Sequence, residues 1–259
     1  MLSTPSSASG LPDVLVLWDI DHTLLDTADI SRDVYARAFH IATGVELAEP
    51  WRFDGRTESA AVIEALTDHG LPPDSVLINR LFDAITAAHA QQAHQFASRG
   101  RALPGAREAL AALSDLEHIH QSVLTGNLRE VTTIKLAALD LDRTLDLRIG
   151  AYGSDATDRT ALVPHAHKRA ADILGLAFTA RTTVIIGDTP RDIEVARAAG
   201  ALGIAVATGQ HSIAQLTAAG ADLVLPDLTD TTVLLTALAA DFDQPTDETT
   251  ARPRPPRHS

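Results

Sequence analysis

The chain has 259 residues, 45% of them apolar, with a formal net charge of −13 and no cysteine. That length suits one large domain or one domain carrying an insertion, and the apolar fraction is ample for a packed core. The negative balance argues against a nucleic-acid or anionic-membrane binder, while leaving room for a small anionic substrate beside a few local cations. The missing cysteines exclude disulfides, thiolate chemistry and Cys-type zinc sites, and are compatible with a reducing cytosol.

In chain order, the start "MLSTPSSASGLPD" has no Lys or Arg and no apolar core, so it reads as a loose tail (1–11) and not as a signal peptide. The expected location is therefore cytoplasmic. "VLVLW" (14–18) is a short, continuous apolar run, far too short to span a membrane, and reads as a buried strand that ends on Asp19 and Asp21. Residues 28–100 change rhythm. "DVYARAFHIATG", "ESAAVIEALTDHG" and "VLINRLFDAITAAHAQQAHQFASRG" carry helical periodicity with no convincing strand, which predicts an all-helical insertion forming a cap.

Beyond the insertion, apolar runs alternate with helical patterns. Strands are expected at "HQSVLT" (120–125), "LDLRIGAY" (145–152), "TTVIIG" (182–187), "LGIAVAT" (202–208) and "ADLVLP" (221–226). Helices are expected over 105–116, 130–141, 161–175 and 191–200, with Gly175 and Gly200 at the positions of C-caps. This alternation predicts a doubly wound α/β parallel sheet built from 12–27 and 101–242, with the cap inserted after the first strand. The polar, Pro-rich end (243–259) reads as a disordered tail.

Ligands of open α/β sheets bind outside the carboxyl ends of the strands. Polar residues gather there repeatedly: Asp19, Asp21 and Thr23 after the first strand; Thr125, Gly126 and Asn127 after the next; Asp188 and Asp192 after "TTVIIG". Four acids around one mouth would repel strongly without a hard divalent cation. Magnesium suits oxygen donors and is commonly held together with substrate phosphate, so Asp19, the Asp21 backbone carbonyl and Asp188 are candidate ligands for Mg2+.

"DIDHT", "LTGN", a basic residue ahead of a helix, and "GDTPRDIEVARAAG" resemble, in that order, the four motifs of the haloacid dehalogenase superfamily, and the insertion resembles its C1-type cap. The resemblance covers most of 14–228 and extends to the phosphoglycolate phosphatase and β-phosphoglucomutase branch. It implies that Asp19 is a nucleophile that becomes an aspartyl-phosphate, which an ionised carboxylate can do without an activating base. It implies that Asp21 protonates the leaving alcohol and later deprotonates water, a role that calls for a raised pKa. Positions i and i+2 of a strand share a face, so both acids can be aimed at one small site.

By the same resemblance Thr125 binds a phosphoryl oxygen, assisted by backbone N–H groups of Gly126 and Asn127. Asp188 would be a metal ligand, Asp192 a ligand or an anchor behind one, and Thr23 would fix the turn by local hydrogen bonding. The third motif departs from the usual lysine. Lys168 lies about two turns into its helix, whereas Arg159 sits near the helix start and its fork suits phosphate; both are candidates for the cation. Gly55, Arg56 and Thr57, within "FDGRTES" (53–59), resemble the substrate-specificity loop of the cap.

The implied activity is Mg2+-dependent hydrolysis of a small phosphorylated metabolite. A phosphomutase would use the same acids and return the phosphoryl group to a second hydroxyl. A dehalogenase is disfavoured by the acid at Asp21, and Schiff-base phosphonate hydrolysis by that acid and by the lack of lysine in 28–100. A binding protein that kept the fold but lost turnover is disfavoured because every motif acid is present. The paired histidines, His89 with His94 and His165 with His167, lack metal-ligand spacing and read as surface or cap residues. No membrane or nucleic-acid partner is expected, and oligomeric state is not legible.

Overall fold

Val14–Trp18 (β1) is buried over its whole length, which fits its unbroken apolarity: both of its faces are covered. A computed structural model describes residues 11–27, 30–48 and 55–242. The two tails expected to be disordered therefore fall outside the described residues, apart from Leu11, as do Phe53 and Asp54 of the cap loop.

After β1 come a two-residue strand, Leu25–Asp26 (β2), and four helices: Ile30–Thr43 (α1), Glu58–Asp68 (α2), Ser75–Gln91 (α3) and Ala93–Arg99 (α4). The last cap stretch, expected as one helix, is divided at Gln92. Arg101–Ala102 (β3) then pairs antiparallel with β2, Leu25 opposite Ala102, so the chain leaves for the helical insertion and returns from it at one point. Next come Ala106–Ser114 (α5), Ile119–Val123 (β4), Arg129–Ala138 (α6), Leu162–Leu174 (α7), Thr183–Gly187 (β5) and Pro190–Ala199 (α8). Leu202–Val206 (β6), Ile213–Ala218 (α9), Leu223–Leu225 (β7) and Thr231–Phe242 (α10) complete the described chain. Gly175 and Gly200 end α7 and α8 in the left-handed region, with φ of 72° and 69°.

The main sheet is parallel throughout, in the order β4-β1-β5-β6-β7, so the chain is α/β as expected. Successive β1 side chains serve two different cores. Val14, Val16 and Trp18 join Ala109, Leu110 and Leu113 of α5 and Leu234 and Leu238 of α10. Leu15 and Leu17 point the other way, into Leu162, Val163 and Ala166 of α7 and Val195 of α8. Each fully buried large apolar side chain contributes ~1.5–3 kcal/mol. Among the described residues no helix is long and apolar enough to cross a membrane.

The strand expected at 145–152 does not form. It is tied to the sheet only near its two ends, by the Asp146 N–H to the Gln121 carbonyl of β4 and by a single bridge, Leu124 to Ala151. The cause is local: Asp146 turns its carboxylate onto its own chain, accepting from the Arg148 N–H at 3.0 Å, and Ile149 N–H bonds back to the Asp146 carbonyl. Such side-chain-to-backbone bonds compete with a ladder. The apolar residues Ile149, Ala151 and Tyr152 are buried nonetheless, so burial was correctly signalled and strand was not.

The helical insertion has its own apolar cluster, including Val34, Phe39, Val62, Leu81 and Ile85, and that cluster continues onto Leu128 and Val131 at the start of α6. The helices are thus seated on α6 of the sheet layer and share a core with it.

Candidate active site

The register of the sheet assembles the site. Trp18 lies level with Val123 on one side and Ile186 on the other, so β1, β4 and β5 end side by side. Asp19 follows Trp18, Thr125 lies two residues past β4, and Asp188 follows Gly187. Past Asp19 the chain turns tightly, with the amides of Thr23, Leu24 and Leu25 all donating to the Ile20 carbonyl and His22 at a positive φ of 62°. The resulting cleft, of about 410 Å³, is lined by Asp19, Asp21, Thr125, Asn127, Lys135, Arg159 and Asp188 together with Tyr35, Gly55 and Arg56 from the helical segment.

Asp19 is buried against Arg159, whose guanidinium nitrogen donates to Asp19 Oδ1 and to Asp192 Oδ1 at 2.7 Å each. Arg159 opens a 3-10 turn capped by Asp158 and reaches in beneath the cap, donating to the Gly55 carbonyl at 3.0 Å. It is the basic residue that the fold brings to Asp19. Lys168 is not brought there: its side chain is 74% exposed on α7 and pairs with Asp172 one turn along. The two turns of helix between Arg159 and Lys168 carry the lysine out to solvent, which removes it from the candidate catalytic set.

Asp19, Asp188 and Asp192 are all buried and each presents a carboxylate oxygen within 4.8 Å of the others. Burial pushes the Asp19 carboxyl up to about 7, against the pull of Arg159 and with the push of Asp192 and Asp21. Burial and the neighbouring Asp19 and Asp192 charges push Asp188 up to about 8. Three crowded acids facing one guanidinium, all with hard oxygen donors, fit a divalent cation of the magnesium type. Asp192 also closes a capping box on α8 with Thr189, so it holds the helix start and faces the acids at once. Thr23 departs from its expected role: the backbone amide serves the turn, but the hydroxyl donates to Asp188 Oδ1 at 3.3 Å.

Asp21 is turned away from this group. Its carboxylate accepts from Lys135 Nζ at 3.0 and 2.8 Å and from Asn127 Nδ2 at 2.7 Å. Burial would raise its pKa, but the Lys135 ammonium and the Asn127 amide outweigh burial and hold the carboxyl below the usual range. The raised pKa expected for an acid at this position is therefore corrected: of the two aspartates, Asp19 is raised and Asp21 lowered. Lys135 was missed by sequence reasoning, although a signal existed. It is one of two lysines in the chain, and it sits four residues after Val131 on the apolar stripe of a helix, where a cation has no place unless paired.

Thr125 is anchored through its amide to the Ala151 carbonyl, and its hydroxyl oxygen accepts from Asn127 N–H and Nδ2, at 3.2 and 2.9 Å. Both bonds use lone pairs, so the hydroxyl proton is left for another acceptor. The Asn127 amide is committed to Thr125 and is not open to a ligand as expected; Gly126 lines the cleft, tightly packed beneath the Arg56 carbonyl.

In the cap loop, Gly55 has φ of 71° and a Cβ there would meet Thr189 Oγ1 at 2.9 Å, so the position demands glycine. Arg56 lines the cleft and pairs with Glu64. Thr57 is corrected: it caps α2 and donates to the Thr157 carbonyl at 2.7 Å, so it docks the cap and does not face the cleft. The neighbouring Glu58, another residue missed, is wholly buried. It accepts from the Tyr35 hydroxyl and from Leu128 N–H, and burial pushes its carboxyl up to about 7. An acid in the first turn of a helix reads as an ordinary dipole partner, so the sequence carried no signal for it. His89 packs beside Tyr35 and Phe96, is wholly buried, and is pushed down to about 3 by burial and by Lys135.

The haloacid dehalogenase-like hydrolase family matches residues 16–197. The chain is 28% identical over 237 residues to a phosphoglycolate phosphatase of Caulobacter vibrioides, covering 87% of this chain and 92% of that one. Among solved structures it is similar to a hydrolase from Pseudomonas syringae, with a TM-score of 0.64 and 26% identity over 87% of this chain and 99% of the other. A structure from Bacteroides vulgatus, provisionally designated a beta-phosphoglucomutase, shares the fold with a TM-score of 0.63 at 19% identity, over 90% of this chain and 92% of that one. With the acids, the Thr125 hydroxyl and Arg159 gathered at the carboxyl edge of this sheet, and 16–197 spanning them all, the chain belongs to the haloacid dehalogenase-like hydrolases.

Proposed function

We propose that this chain is a Mg2+-dependent phosphatase that hydrolyses a small phosphorylated metabolite through an aspartyl-phosphate on Asp19. The observation that carries the reading is the pairing of buried Asp19 with Arg159, beside Asp188 and Asp192, at the mouth of a cleft that also receives the Thr125 hydroxyl. The similarity to a phosphoglycolate phosphatase supports a phosphate monoester as the substrate class.

Asp19, Asp188 and Asp192 would hold the ion, with the Asp21 backbone carbonyl as a further donor. A bound magnesium ion supplies charge neutralisation between the carboxylates and the phosphoryl oxygens. Arg159 steadies the Asp19 carboxylate and offers its remaining edge to the phosphoryl group, and Thr125 donates its free hydroxyl proton to a phosphoryl oxygen. An Asp19 oxygen attacks phosphorus as the ester P–O bond breaks, and the leaving alkoxide takes a proton from Asp21, whose lowered pKa the incoming phosphoryl charge raises. Water then attacks the aspartyl-phosphate, its proton passing to Asp21 as the Asp19 P–O bond breaks. Phosphate leaves, Asp19 is restored, and Asp21 gives up its proton to solvent until the next phosphoryl group raises its pKa again. The closed cap, tied down through Gly55, Thr57 and Glu58, keeps bulk water from the phosphoenzyme.

The test is hydrolysis of p-nitrophenyl phosphate and a panel of phosphorylated metabolites with and without Mg2+, with product analysis to detect isomerisation. Mg2+-dependent phosphate release, abolished in Asp19→Asn, is expected. No release from any ester, or an Asp19→Asn variant as active as the parent, overturns the reading.

A further inference from the structure

We infer that Lys135 is a positioning residue that orients both the Asp21 carboxylate and the Thr125 hydroxyl. The inference rests on the phosphatase reading and adds to it a residue outside the four motifs. Lys135 is 2% exposed, and its ammonium has three N–H donors. Its three recorded bonds go to Asp21 Oδ1, Asp21 Oδ2 and Asn127 Oδ1, at 3.0, 2.8 and 2.9 Å. The donor capacity is matched bond for bond, so none is left for a phosphoryl oxygen or a substrate hydroxyl. Although Lys135 lines the cleft, it acts through its partners and not as a substrate ligand.

The bond to Asn127 does more than hold a loop. An ammonium can only donate, so it requires the carbonyl end of the Asn127 amide to face it. The NH2 end is thereby directed to Asp21 Oδ2 at 2.7 Å and to Thr125 Oγ1 at 2.9 Å. With Asn127 occupying a lone pair of Thr125, the hydroxyl proton is turned outward into the cleft. One buried cation thus sets the orientation of an amide, a carboxylate and a hydroxyl. Lys135 also stands on the helix whose starting amide, Leu128 N–H, is held by Glu58 of the cap, so the same helix bears the cap's attachment.

The experiment is a double-mutant cycle in the full chain, combining Lys135→Met with Asp21→Asn, assayed with Mg2+ on aryl phosphates and by acid-quench trapping of phosphoenzyme. Lys135→Met is expected to lower kcat on the order of 10²-fold with KM little changed, as a small misplacement of a reacting group does. Phosphoenzyme should accumulate from p-nitrophenyl phosphate, whose leaving group needs no proton. In the Asp21→Asn background the further loss from Lys135→Met should be much smaller, confined to the Thr125 contribution. Equal losses in both backgrounds, or a raised KM with kcat intact, overturn the inference.

Lys135→Gln runs in parallel in case the Met variant does not fold. Lysine-selective 15N labelling of the wild type gives two ammonium signals, since the chain has two lysines. The Lys135 signal should be slow in solvent exchange and should change in Asp21→Asn; a fast-exchanging or unchanged signal overturns the inference without any Lys135 variant. A wild type with no phosphatase activity would refute the phosphatase reading itself, a result distinct from any of these.

Discussion

The two aspartates of "DID" stand two residues apart and live in opposite environments. Asp19 shares one guanidinium with Asp192, and burial, with the charges of Asp192 and Asp21, pushes it up to about 7. Asp21 faces the Lys135 ammonium and the Asn127 amide, which outweigh burial and hold its carboxyl below the usual range. The difference teaches that division of labour between like residues is set by the supply of cations around them. The Asp19 side is short of positive charge and suits a divalent ion; the Asp21 side is already neutralised by the protein and needs none.

The largest expected effect tests that division. Asp19→Asn should abolish turnover and leave no trapped phosphoenzyme. Asp21→Asn should lose ~10²–10⁴-fold in kcat, as removal of a general acid–base does, while phosphoenzyme accumulates from an aryl phosphate. If acid-quench labelling showed the two variants to be alike, the two carboxylates would not have separate tasks.

Next in size is the cation of the Asp19 side. Arg159→Ala should cost ~10²–10³-fold in kcat, the scale for losing one preorganised charge-stabilising donor, whereas Lys168→Ala should leave steady-state kinetics unchanged. Equal effects of the two would mean that the guanidinium contact with Asp19 has no part in the reaction.

The shortage of positive charge makes a further prediction in the absence of substrate. Asp19 and Asp188 have pKa values of about 7 and 8 against an ordinary 3.8. Raised folded-state values mean that these two groups favour folding most below about pH 4 and progressively less as pH rises towards 8. Mg2+ should therefore raise the melting temperature more at pH 8 than at pH 5.5, where protons compete with it, and Asp188→Asn should reduce the increase. A magnesium effect independent of pH, measured by differential scanning calorimetry, would contradict this picture of the acids.

The smallest effect belongs to the Asp21 side. His89, wholly buried near Lys135, is pushed down to about 3 from 6.5. A depressed value favours the neutral ring in the fold, so its contribution is complete above pH 6.5 and declines as pH falls towards 3. Between pH 7 and pH 5 the wild type should lose up to about 2 kcal/mol of unfolding free energy that His89→Phe retains. Denaturant titrations of both proteins at the two pH values measure the difference; parallel losses would show that the ring is not kept neutral by the fold.

Much of this was legible without coordinates, for reasons particular residues make plain. "VLVLW" ends on a pair of acids, and a buried strand can end so only at a sheet edge where something compensates them. Thr189, Pro190 and Gly200 bracket α8 by local cap chemistry that depends on neighbours in sequence. The false strand at 145–152 was read from apolarity, which reports burial and not hydrogen bonding; Asp146 decided the backbone course. Thr57 and Glu58 lay inside a recognisable loop, yet their work is to join the helical segment to residues about 70 to 100 positions away.

What the sequence determined by itself was the alternation of strands and helices, the place of the insertion and the acids at the strand ends, because periodicity, caps and motif spacing are local. What only the tertiary structure decided was which cation meets which acid. Arg159 reaches Asp19 across 140 positions and Lys135 reaches Asp21 across 114. Charge pairing acts through space, and sequence distance carries no record of it until the sheet register and helix packing have brought the partners together.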